Sequence, residues 1–132
     1  MNHQHGQKQL LILAATLMFA MGIAHSWLGE RYILIRLFKR DGLPQLFGST
    51  AFTIGTLRFV WHLTTVAWRG LAWPILIAAG GAVSKDQVLG VIGVVALVSA
   101  AFPLYFTKGK HLSWLVFLLV GVLMLLARGI SV

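Results

Sequence analysis

A chain of 132 residues with 58% apolar and 11% charged residues and a mean hydropathy of +0.85 lies far outside the soluble globular norm of about a quarter charged. The length allows one domain at most, and the absence of cysteine excludes disulfides, thiolate metal sites and thiol nucleophiles. The net charge of +8 comes from cations set between long apolar runs, as juxtamembrane charges are, which points to a membrane surface and not to nucleic acid.

The expected fold is an all-α integral membrane protein: a four-transmembrane-helix bundle over residues 1–132, with a basic amphipathic or interfacial segment between the first two helices. A helical span needs about 20 apolar residues. The first candidate, 9–28, has only Thr16, His25 and Ser26 as polar interruptions. Lys8 and Ala24-His25-Ser26 resemble the n-region and cleavage site of a signal peptide, but the segment is expected to be retained as a span. Residues 30–49 follow, and within them Tyr32, Arg36, Lys39 and Arg40 space polar groups along an apolar stretch. That pattern predicts an interfacial helix, or a continuation of the first helix, ended by Asp41-Gly42 and Pro44.

The second span, 57–79, is unlike the others. At 100° per residue, Arg58, His62, Thr65 and Arg69 fall within about 60° of one another, a polar cationic stripe on an apolar helix. Arg58 is near enough to the end to snorkel. Arg69 lies about 16 Å further along the axis, near mid-span, where an arginine costs about 2.5–3.5 kcal/mol and must face protein, water or a partner. The chain has three acids, Glu30, Asp41 and Asp86, all near the expected membrane edges and none at that depth. Neutral partners are available: Pro74 leaves the Gly70 carbonyl without its helical donor, and Ser99 is expected level with Arg69. Arg69 therefore reads either as bonded to carbonyls and Ser99 or as facing an anionic ligand, an aqueous cavity or a partner subunit.

Gly80-Gly81 closes the second helix, and Ser84 with Gln87 has capping-box spacing for the third. The third span, 88–106, repeats small residues at Gly90, Gly93 and Ala96, which permits close helix approach. Lys108-Gly109-Lys110 makes a basic turn before the short aliphatic span 112–127. Trp27, Tyr32, Trp114 and Trp73 are placed as interfacial aromatics, and Trp61 and Trp68 share one face of the second helix. Arg31, Arg36, Lys39, Arg40, Lys108 and Lys110 lie in the first and third loops, against Lys8, Lys85 and Arg128 on the other side. Positive residues favour the cytoplasm, so loops 1 and 3 are expected inside and both termini outside a bacterial inner membrane.

A second constellation joins the first two helices. His25, about one turn from the end of the first span, and His62 share a depth if the helices are neighbours, with Glu30 just beyond. Two histidines and a carboxylate can ligate a divalent metal such as iron or copper. Met18, Met21 and His25 share a helix face that would suit Cu(I), and paired histidines can hold haem b. The competing reading is a polar cluster in which Glu30 pairs with Arg58 or Arg31 and the histidines hydrogen-bond to it. His3 and His5, with Met1, lie in a polar tail. Sequence motifs of the common enzyme classes are missing, and no catalytic residue is assigned. The expected function is binding of an anionic or polar ligand through Arg58, His62, Thr65, Arg69 and Ser99. It would serve small-solute or lipid-linked transport, or docking as an accessory subunit, in a homo-oligomer or larger membrane complex. The rivals are a metal or haem redox protein using His25, His62, Glu30 and Met21, and a purely structural subunit.

Overall fold

The computed structural model describes residues 2–130; Met1 lies outside them. Four long helices account for most of the chain. Helix α1 (Asn2–Leu28) runs on without a break through a π-helical stretch (Gly29–Leu34) and one further α turn (Ile35–Leu37). Helices α2 (Ala51–Gly80), α3 (Lys85–Phe106) and α4 (Ser113–Arg128) follow.

Three stretches, His3–Leu37, Ala51–Gly80 and Lys85–Phe106, are long and apolar enough to cross a membrane. Helix α4 has 16 residues, about 24 Å of rise, and falls short of the usual span length of about 20 residues. The basic segment after the expected first span is the continuation of α1, not a separate interfacial helix. The resulting 35-residue helix is about 50 Å long, well beyond the ~30 Å of a hydrocarbon core.

The connections follow from local chemistry. Gly81 takes φ 152° to end α2, a conformation that glycine alone adopts freely. Ser84 and Gln87 form the expected capping box, with Ser84 Oγ accepting from the Gln87 amide at 3.2 Å and Gln87 Oε1 from the Ser84 amide at 2.9 Å. In the first loop, Leu46 and Ser49 exchange backbone hydrogen bonds of 3.1 and 3.4 Å around Phe47-Gly48, both at positive φ. That is the geometry of a two-residue reversal, and it leaves Phe47 75% exposed.

The helices are antiparallel and lie in a row. Among the described residues α1 packs on α2, α2 on α3 and α3 on α4, and no Cα of α1 comes within 8 Å of one in α3 or α4. The bundle expected from the sequence is therefore open. Small residues mark every seam, as expected where backbones must approach without large side chains between them. Gly22 faces Thr65, Gly29 faces the Trp61 indole, Gly55 faces the Phe106 carbonyl and Gly70 faces Val95. Gly93 and Gly121 meet across the α3/α4 seam. Loops 1 and 3 share one end of the row: Lys110 Nζ lies 5.7 Å from the Phe47 ring centre, and the Phe52 and His111 rings stack at 6.0 Å.

Candidate functional site

The polar stripe of α2 faces α1. Small residues Ala15, Gly22, Ser26 and Gly29 recur along one side of α1, and Ala15, Gly22 and Gly29 are buried there. The π-helical stretch carries Glu30, and Glu30 meets Arg58: the arginine donates from Nε and Nη2 to Oε1 at 3.0 and 2.7 Å, and from Nε to Oε2 at 3.3 Å. The Phe38 ring lies 5.1 Å from the Arg58 guanidinium carbon. Arg58 is thus an ion-pair residue, in the pairing with Glu30 that the sequence offered.

From Glu30 the network runs along the seam. His62 Nε2 lies 3.5 Å from Glu30 Oε2, and His62 Nδ1 shares a 2.9 Å hydrogen bond with Ser26 Oγ. Ser26 Oγ lies 2.7 Å from Thr65 Oγ1, which donates to the Gly22 carbonyl at 3.3 Å. On the α3 side, Phe106 stacks on the His62 ring at 5.8 Å. No buried side-chain nitrogen or oxygen of this series is left without a hydrogen-bond partner, as polar groups away from water require. Ser26, given no binding role from the sequence, is its central residue. The spacing of Gly22, Ser26 and Gly29 at i, i+4 and i+7 is the signal that marks it.

His25 and His62 share a depth but take different partners. His25 Nε2 bonds Thr64 Oγ1 at 2.9 Å, its ring stacks on Trp61 at 4.5 Å, and Trp68 meets its edge at 4.9 Å. The Trp61 indole donates to the His25 carbonyl at 3.1 Å. His25 and Ser26 are consecutive, so their side chains diverge by about 100°, and only Ser26 reaches the His62 side. The expected convergence of His25, His62 and Glu30 is therefore not what the structure shows. Among the described residues no group of three or more His, Asp and Glu is placed to hold a metal ion. Met21 is 57% exposed on α1.

Arg69 continues the stripe one turn beyond Thr65. Its Nε lies 3.8 Å from where a Cβ on Gly22 would sit, so the side chain crosses α1 at a glycine. Among the described residues the ion pairs are those of Glu30 with Arg58 and His62; none involves Arg69, which is exposed. Ser99 is 5% exposed on α3 and lines neither cavity that Arg69 lines. Gly70 packs on Val95, which sets Arg69 about one turn from Ser99. The expected match of depth counted from Gly81 and Gln87, whereas Gly70 and Val95 face each other and lie equally far from the helix ends Gly80 and Lys85.

Arg69 stands between two cavities. One, of about 510 Å³, runs along the α1/α2 face beside Ser26, Glu30 and Arg31. The other, of about 690 Å³, is an open groove chiefly between α2 and α3, bordered by Phe19 of α1 and Arg128 of α4. Arg128 was placed by the sequence only as a flanking charge.

No known protein family, curated protein or solved structure matches this chain.

Proposed function

We propose that this chain is a multi-pass inner-membrane protein with four spans that binds an anionic ligand at Arg69, on the face between α1 and α2. The observation that carries this reading is the division of charge along the α2 stripe. Glu30, the one acid near the stripe, is taken by Arg58 and His62, and the hydroxyls of Ser26 and Thr65 complete that network. Arg69 lies one turn further on, in no ion pair among the described residues, with a cavity on each side. A guanidinium at mid-span is costly unless it meets an anion, water or protein, and its forked donors suit carboxylate and phosphate.

Arg58, His62, Thr65 and Ser99 belong to the supporting structure in this reading, while Arg69 makes the contact and Arg31 borders the cavity. Binding serves transport of a small or lipid-linked solute, or docking in a larger assembly. The open row supports association with a second copy or a partner, because four helices in a row enclose little volume of their own.

Native mass spectrometry of protein released from its own membrane tests the assignment. Arg69→Ala should lower retention of the bound anion about tenfold or more, while Arg69→Lys keeps part of it. Equal retention by the parent protein and a folded Arg69→Ala variant would overturn the reading.

A further inference from the structure

We propose that the cavity between α2 and α3 holds the alkyl chain of an anionic amphiphile whose carboxylate or phosphate head is bound by Arg69. This names the ligand class for the site described above and rests on that reading.

The cavity, about 690 Å³, is within the ~300–1,000 Å³ range of small-molecule sites. Its wall is apolar, with Val66, Trp73, Val94, Val98 and Phe102 among its residues, and no acid lines it. The charged side chains that line it are Arg69 and Arg128. Arg128 closes the final turn of α4, where a long side chain can extend past the helix end into water. It lies instead across α3, with Nη1 3.2 Å from where a Cβ on Gly90 would sit. Two cations are thus held beside an apolar surface: Arg69 reaches α1 at Gly22, and Arg128 lies over Gly90, where a Cβ would crowd it.

These features select the ligand between them. A small inorganic anion would satisfy Arg69 and leave the apolar wall unfilled. A neutral lipid would fill the wall and leave two arginines that form no ion pair among the described residues, where cations in an apolar setting need one. A single-chain amphiphile with an anionic head, such as a long-chain fatty acid or a lysophospholipid acid, satisfies both.

Tryptophan fluorescence of the full chain in a neutral detergent provides the test, since Trp73 lines the cavity. Dibrominated palmitate should quench it saturably, and the saturable part should fall in Trp73→Phe. Palmitate and lysophosphatidate should compete, and hexadecanol should compete about tenfold less well, the worth of one lost charged contact. Val94→Trp fills the cavity from an exposed position and should abolish palmitate binding while phosphate binding, followed by calorimetry, persists.

Hexadecanol competing as well as palmitate would overturn the proposal, as would full palmitate binding by Val94→Trp. Phosphate bound through Arg69 with no palmitate binding overturns the amphiphile and leaves the anion site standing. Loss of both overturns both readings. A protein partner recovered on Arg69 from native membranes, with no amphiphile, also overturns it.

Discussion

Glu30 and Arg58 are each about a third exposed, 29% and 33%, and an ion pair at that depth gains more from its hydrogen bonds than from charge alone. Three donor contacts and the Phe38 ring fix the guanidinium. Glu30→Gln should therefore lower thermal stability in detergent by about 1–3 kcal/mol, chiefly because Arg58 is then left uncompensated. Arg58→Met in the Glu30→Gln background should recover part of the loss, giving a coupling of about 0.5–3 kcal/mol in a double-mutant cycle. Strictly additive losses would show that the pair does not act as a unit. At Arg69 the same logic runs the other way: with no carboxylate to lose, Arg69→Ala should cost little stability while removing ligand.

At the scale of the elements, the seam between α1 and α2 depends on the π-helical stretch. A π turn re-aims the residues it carries relative to an ordinary helix, and such turns recur at functional positions. Here it presents Glu30 to Arg58 and sets Gly29 beneath the Trp61 indole. A methyl group on Gly29 would meet the indole ring itself. Gly29→Ala should accordingly destabilise the protein by about 1–3 kcal/mol, the usual cost of overpacking. Trp61→Phe should relieve much of this by removing the indole edge, a recovery that unfolding of the single and double variants in detergent would reveal. No recovery would place the strain elsewhere.

The capping box at Ser84 and Gln87, the stop at Gly81 and the stripe on α2 were all legible in the sequence, because each is written in residues three or four apart. The π stretch was not, since six residues carry no clear period that separates 4.4 from 3.6 per turn. His25 was misdirected for a related reason. Equal depth does not fix which side of a helix a side chain leaves from, and its neighbour Ser26 took the place beside His62. The depth match between Arg69 and Ser99 missed by about one turn because it paired Gly81 with Gln87, while the facing helix ends are Gly80 and Lys85.

For the molecule as a whole, the sequence predicted a bundle, yet an apolar composition on all sides cannot distinguish a closed bundle from a row. Backbone proximity resolves it: among the described residues, the Cα atoms of each helix come within 8 Å only of the helices next to it in the chain. The shared end of loops 1 and 3 agrees with the even alternation of helices, and the excess of cations there carries the proposal that this end is cytoplasmic. The chain lacks cysteine, so single substitutions report cleanly. Lys39→Cys and Lys110→Cys should react with an impermeant maleimide only after the cells are opened, while Lys85→Cys should react in intact cells. The reverse pattern would turn the topology over.

The row has one more consequence, for how the protein comes to exist. A closed bundle must hold its first helix in waiting until its last arrives. Here every partner follows directly in the chain, so sequence separation between contacts stays short and little loop entropy opposes each step. Each helix leaving the ribosome meets its predecessor as its docking surface, and hairpins can be added one at a time, with no long-range closure left for the end.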